Sequence, residues 1–199
     1  MTNIAVFASG RGSNFSAIIK AAKKGRIKGK LALLVCDNQE AGVISRAKRA
    51  GVKIALVLRK DFASKADFEN RIIQELKEND IKLIVLAGFM RLLSPEFVRL
   101  YSEKIINIHP SILPAFKGEQ AIKDAFDYGA KITGVTVHFV DEEMDHGPII
   151  LQEAVKIKET DTQESLEAKI HKLEHKLYPQ AIELFLEGNL NISGRKVCR

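Results

Sequence analysis

A carboxamide and an imidazole two residues apart, Asn107 and His109, stand at the end of an apolar run in Asn107-Ile108-His109-Pro110-Ser111. On an extended strand that spacing puts both side chains on one face. Pro110 and Pro114 stop the strand and hold the next residues in an irregular loop. An amide that donates to a developing oxyanion, beside a group that moves protons near neutral pH, suits acyl transfer. Read alone, the same residues also fit a strand end with a satisfied core histidine. The acidic stretch Asp141-Glu142-Glu143-Met144-Asp145-His146-Gly147-Pro148 could turn a carboxylate toward the imidazole and organise a proton-carrying water. Spacing does not choose between Asp141 and Asp145, and a solvated turn is the plainer alternative. The stretch lacks the calcium-loop spacing and its glycine.

Ser9-Gly10-Arg11-Gly12-Ser13-Asn14 follows a short apolar run and precedes a helical pattern. Glycines let the backbone approach an anion closely, and the N–H groups of the next helix then point at it. No Gly-Lys-Ser/Thr follows, and Phe15 stands where a dinucleotide fingerprint needs glycine. A terminal phosphate monoester fits so short a loop, as does an ordinary strand–helix turn. Ala87-Gly88-Phe89-Met90-Arg91-Leu92-Leu93 is a mostly apolar loop after another strand. It could clamp a flat aromatic ligand or be buried by the next helix. His171-Lys172-Leu173-Glu174-His175 has the His-x-x-Glu-His spacing of some zinc proteases. No third ligand suggests itself beyond Glu183 and Glu187 on the same helix. A helix edge, with Glu174 free to reach a ligand, is the better expectation, and no metal is expected.

The elements that must position these groups alternate through the first hundred residues. Apolar runs at Ile4–Ala8, Leu31–Cys36, Val52–Leu58 and Leu83–Ala87 are separated by helical patterns after Asn14, over Glu40–Ala50 and over Asp67–Asn79. Strands apolar throughout, in β-α-β order, predict an α/β fold with a parallel, doubly wound sheet covered on both faces. The second half adds a short helix near Glu96–Tyr101, a strand at Ile105–Ile108 and a helix near Glu119–Tyr128. Val135–Val140 and Ile149–Ile157 are strands suited to an antiparallel edge. A long last helix runs from about Gln163 to Glu187, with Leu166, Ile170, Leu173, Leu177, Ala181 and Phe185 on one stripe.

The 199 residues and 46% hydrophobic content suit one globular domain, 1–199. No apolar run nears the roughly 18 residues of a membrane span. Two cysteines, Cys36 and Cys198, do not make a disulfide framework, and a cytoplasmic location is expected. A formal charge of +6 favours anionic ligands. The basic stretch Lys20–Lys30 has no aromatic residue for base stacking, so a solvated helix end is expected rather than a nucleic-acid site.

In combination, the chain resembles the phosphoribosylglycinamide formyltransferases, the folate-dependent enzymes of purine biosynthesis. The motifs that carry the resemblance are Gly10–Asn14, Ala87–Leu93, Asn107–Ser111, Gly134-Val135-Thr136-Val137-His138-Phe139-Val140 and Asp145-His146-Gly147-Pro148. They fall in the family's order along roughly the whole chain. The resemblance implies a Rossmann-like formyltransferase fold, with residues 1–100 as the phosphate-binding half and 101–199 as the folate-binding and catalytic half. It implies formyl transfer from 10-formyltetrahydrofolate to the amine of 5′-phosphoribosylglycinamide. Asn107, His109 and Asp145 match the catalytic trio. Gly12, Ser13 and Asn14 would hold the substrate phosphate, and Glu174 would meet the ribose hydroxyls. Met90, Arg91, Leu92 and Leu93, with Val140, Asp141, Glu142 and Met144, would hold the folate, beside Asn107 and with Lys65 near it. The family needs no metal, and small molecules rather than nucleic acid or membrane are the expected partners of a monomer or weak homodimer.

The chain departs from many relatives at Lys117-Gly118-Glu119-Gln120, where proline-glycine is common, and at Arg11. A 10-formyltetrahydrofolate hydrolase, another formyltransferase catalytic domain and a non-catalytic phosphometabolite-binding module are the alternatives. The last leaves Asn107, His109 and Asp145 unexplained as a set.

Overall fold

In the computed structural model, which describes residues 1–198, the strands send alternate side chains into two separate cores. The elements in order are β1 (Thr2–Phe7), α1 (Ser13–Lys23), β2 (Gly29–Cys36), α2 (Gly42–Ala50), β3 (Lys53–Leu56), α3 (Lys65–Glu78), β4 (Ile81–Leu86), α4 (Pro95–Leu100), β5 (Ile105–His109), α5 (Ala121–Asp127), β6 (Ile132–Phe139), β7 (Ile149–Lys156), α6 (Gln163–Leu186), β8 (Asn191–Ser193) and β9 (Lys196–Cys198). They form one sheet in the order β3-β2-β1-β4-β5-β6-β7-β9-β8. The strands from β3 to β5 are parallel, and β6 runs antiparallel to both β5 and β7. The expected antiparallel edge is therefore present, but it continues into a C-terminal hairpin, with β9 parallel to β7 and antiparallel to β8.

Ile4, Val6, Leu34, Cys36, Leu83 and Val85 face one core with α1, α2 and α6, while Ala5, Phe7, Leu33, Val35 and Ile84 face the other with α3 and α4. Burial on both faces is why these strands are apolar without alternation. Fully burying one such side chain stabilises the fold by roughly 1.5–3 kcal/mol. Several elements differ from expectation at their ends. The third strand is only Lys53–Leu56, and a 3₁₀ turn takes up Arg59–Asp61. Helix α3 begins at Lys65, because Ser64 caps it by accepting from the Asp67 N–H at 3.0 Å.

The strand order reverses between β1 and β4, the switch point at which ligands bind in open α/β sheets. The loops leaving these two strands are tied together there. Ser9 N–H donates to Gly88 O at 2.9 Å, and Met90 N–H donates to Ser9 Oγ at 3.0 Å. Fully buried Tyr178 of α6 donates its hydroxyl to Leu86 O at 2.6 Å and Ile106 O at 3.0 Å. Those carbonyls belong to the last residue of β4 and the second of β5, next to Ala87 and Asn107.

Candidate active site

The end of β5 carries the carboxamide and the imidazole. Asn107 pairs with His138, and His109 with Thr136, across the antiparallel β5–β6 ladder. His109 is buried, with its Nδ1 3.4 Å from Asp145 Oδ2. Its Nε2 donates to Phe116 O at 2.8 Å, which leaves Nδ1 as the nitrogen turned to the carboxylate. Asp145 Oδ2 also accepts from the Gly118 N–H at 2.9 Å.

His138, which sequence reasoning left without a role, completes the cluster. Its Nδ1 lies 2.6 Å from Phe139 O, an acceptor, so Nδ1 carries the proton. Nε2 then presents its lone pair, and Asn107 Nδ2 donates to it at 3.3 Å. Burial pushes the His138 pKa down, against weaker upward effects of Phe139 O and the Asp145 charge. The ring is thus held neutral and acts as an acceptor. Asn107 Nδ2 has a second N–H left over for a ligand. The available signal was the strand pairing itself, since His138 lies on the next strand directly opposite Asn107.

The choice between Asp141 and Asp145 follows from backbone shape. Asp145 sits at φ +49°, a left-handed conformation, with its carboxylate turned to His109. Asp141 turns to His146 Nδ1 at 2.7 Å instead. Gly147 packs so tightly on β6 that a Cβ there would lie 1.9 Å from Phe139 O. The loop after β5 is held by Thr136, whose Oγ1 donates to Ser111 O at 2.7 Å and accepts from Leu113 N–H at 3.1 Å.

The phosphate-loop residues lie at the other side of the switch point. Gly12 starts α1 at φ +75° with no side-chain cap, and the first turn holds no acid. The leading N–H groups of Ser13, Asn14 and Phe15 are therefore open to an anion. Glu174, although on α6, is brought to this loop, and Asn14 Nδ2 donates to its Oε2 at 3.0 Å. Glu174 is buried, and His171 Nδ1 lies 3.0 Å from the same oxygen. The Glu174 carboxylate holds the His171 pKa up. The histidine–glutamate motif is thus an ion-paired helix edge beside the loop. A cavity of about 480 Å³ opens beside Ser13, lined by Ser16, Lys20, Lys24, Arg46 and His175, so the ground next to the loop is positive.

The residues expected around a folate divide. Met90, Leu92 and Met144 expose large apolar side chains, 62%, 66% and 49% exposed, which is costly without a ligand or partner to cover them. Leu93 and Val140 pack on the same core, with Phe89 beside them. The charged members have protein partners. Arg91 pairs with Asp37 and lies 5.8 Å over the Phe68 ring. Glu142 pairs with Arg99 at 3.0 Å, and Lys65 stands 3.9 Å from Glu69.

Known proteins share both the sequence and the shape. Residues 2–182 match the family model described as formyl transferase. The chain is 49% identical over 196 residues to phosphoribosylglycinamide formyltransferase of Bacillus subtilis (strain 168), covering 98% of this chain and 100% of that protein. It is 37% identical to the human trifunctional purine biosynthetic protein adenosine-3, over 98% of this chain but 19% of that protein. The crystal structure of glycinamide ribonucleotide transformylase 1 from Symbiobacterium toebii superposes with a TM-score of 0.96 at 42% identity, over 99% of this chain and 93% of that one. The Geobacillus kaustophilus counterpart gives 0.91 at 50% identity, over 94% and 99%. A mostly parallel sheet with an antiparallel edge, a long C-terminal helix and a family match over nearly the whole length leave one assignment: this chain belongs to the formyl transferase family.

Proposed function

We propose that this chain transfers the formyl group of 10-formyltetrahydrofolate to the amine of 5′-phosphoribosylglycinamide, giving formylglycinamide ribonucleotide and tetrahydrofolate. The observation that carries the reading is the convergence of Asn107, His109 and Asp145 at the end of β5. A chain that only bound a phosphometabolite at α1 would have no use for it.

The neutral amine attacks the formyl carbon. The new N–C bond forms, and the carbonyl oxygen becomes an oxyanion. The free Asn107 N–H donates to that oxygen, its carboxamide being fixed by His138. Collapse breaks the bond from carbon to the folate nitrogen. One proton leaves the attacking amine and one reaches the departing nitrogen, so none is gained or lost. His109 moves that proton, with Asp145 at 3.4 Å to steady the imidazolium. Gly12, Ser13 and Asn14 hold the phosphate of the acceptor, and Glu174 its ribose hydroxyls. Met90–Leu93 and the loop from Val140 to Met144 hold the folate, its flat ring covering the exposed Met90, Leu92 and Met144. The phosphate loop and Glu174 come from opposite halves of the chain, so one domain, 1–199, forms the whole site.

The test incubates the chain with 10-formyltetrahydrofolate, with and without phosphoribosylglycinamide. Loss of the formyl group that depends on the acceptor is the expected result. Formate released without acceptor would instead make the chain a hydrolase, and no turnover would leave it a binding module.

A further inference from the structure

The C-terminal hairpin lies beyond the residues matched by the family model, which end at 182. It nevertheless returns to the catalytic end of the sheet, where Lys196 pairs with Ile149 at the start of β7. That register brings Arg195 to the loop that carries Asp145. Arg195 Nη2 donates to His146 O at 2.5 Å, while Nη1 lies 2.9 Å from His146 Nε2 and 3.2 Å from its Nδ1, over the face of the imidazole. His146 Nδ1 meets Asp141 Oδ2 at 2.7 Å. The guanidinium nitrogen therefore stacks on the ring, whose Nδ1 edge is left to Asp141. The other oxygen of Asp141 accepts from the Glu143 N–H at 3.1 Å. The loop is closed on itself by these bonds and tied to the hairpin by one guanidinium.

Asp145 needs such a tie. Its left-handed backbone, at φ +49°, is disfavoured for a residue with a Cβ and is held by its surroundings. On one side of the loop Gly147 is pinned against Phe139. On another the loop is undercut by a cavity of about 390 Å³, lined by Leu113, Pro114, Lys117, Ile149 and Arg195 together with Asp145 itself. Packing does not fill that space. What spans its edge is the arginine, bonded to the residue immediately after Asp145.

We propose that Arg195 is a positioning residue for Asp145, so that the C-terminal hairpin is part of the catalytic apparatus. This rests on the formyl-transfer reading. Arg195 reaches no reacting atom. It acts by holding the His146 peptide, and through it the Asp145 carboxylate at His109. The planar guanidinium matters more than the charge, because one nitrogen donates to the His146 carbonyl while the other sits over the His146 ring.

The test measures kcat, both KM values and the melting temperature for the wild-type chain, Arg195→Ala and Arg195→Lys. Wild-type turnover checks the formyl-transfer reading by itself, and the variants check the clamp. Arg195→Ala should lower kcat by about tenfold, inside the range that a slightly misplaced catalytic group costs. The KM for phosphoribosylglycinamide should stay within about twofold, since its proposed binding residues lie elsewhere. Arg195→Lys, which keeps the charge but not the planar guanidinium, should recover little of the loss. The proposal is overturned by a kcat within about twofold of wild type in Arg195→Ala. It is equally overturned if kcat falls only in step with melting temperature while both KM values rise, which is the mark of a merely structural residue.

Discussion

Asn107 donates its Nδ2 to His138 Nε2 at 3.3 Å, across a strand pair that sets the two residues opposite each other. The histidine is buried and neutral, its pKa lowered by that burial. A buried base with a depressed pKa contributes stability that is fully present above its unfolded value, about 6.5, and is lost as pH falls through the folded one. Wild type should therefore lose more stability than His138→Gln between about pH 7.5 and 5.5, the interval around the free histidine pKa. Urea midpoints of the two proteins at both pH values check this. Equal losses would mean that His138 is not held neutral.

Asn107→Ala and Asp145→Asn should each lower kcat by at least about tenfold, against the roughly 10²–10³ that one lost oxyanion donor costs. Both side chains lie at the end of the sheet rather than in its cores, so circular dichroism should report an intact fold. Near-normal turnover in either variant removes that residue from the mechanism.

Glu174 is shared by Asn14 and His171. Glu174→Gln removes the main cause of the raised His171 pKa, so that pKa should fall, as read from imidazole proton shifts in NMR. The KM for phosphoribosylglycinamide should rise, with kcat changed less, because the lost contact belongs to binding. An unmoved His171 would show that Glu174 does not face it in solution.

The first-half strands were legible because both of their faces are buried, which leaves an unbroken apolar run. The loop that opens α1 was legible as a strand–helix connection from its glycines. Asp145 was legible only through the motif that carries the resemblance, since spacing left Asp141 equally eligible, and its left-handed backbone has no signature in an Asp-His pair. His138 was hidden for a different reason. Its motif was visible, but its role depends on which strand lies beside β5. The terminal hairpin escaped because two three-residue strands are too short for a periodic signal. Only Gly194, at φ +58° between Ile192 and Val197, marks its turn.

Gly12→Ala tests the phosphate loop through shape alone. A Cβ there would lie 2.6 Å from Val43 Cγ2, on a backbone at φ +75°. The strain of a left-handed alanine is about 1–2 kcal/mol, and the clash adds to it. The melting temperature should drop by at least ~2–4 °C, the shift that 1 kcal/mol gives in a chain of this size. The KM for phosphoribosylglycinamide should rise because the α1 N–H groups are displaced. A drop in stability without a change in KM would place the phosphate elsewhere.

The loop after β5 occupies both proposed catalytic groups, His109 and Asp145, at once. Phe116 O accepts from His109 Nε2, and the Gly118 N–H donates to Asp145 Oδ2. Neither contact can persist unchanged while the same atoms serve a proton transfer. We predict that binding of both substrates draws residues 116–118 away from the pair. Phe116 carries a reporter, since the ring of exposed Tyr128 lies 5.9 Å from it, edge to face. With no tryptophan in the chain, tyrosine emission is observable. It should change on adding phosphoribosylglycinamide with a stable folate analogue, and the change should vanish in Tyr128→Phe. The Gly118 amide resonance should move under the same conditions, as its N–H leaves a carboxylate for water. If both signals stay fixed while the ternary complex forms, the loop is already in its working position and the proton must travel by the Nδ1 side of His109.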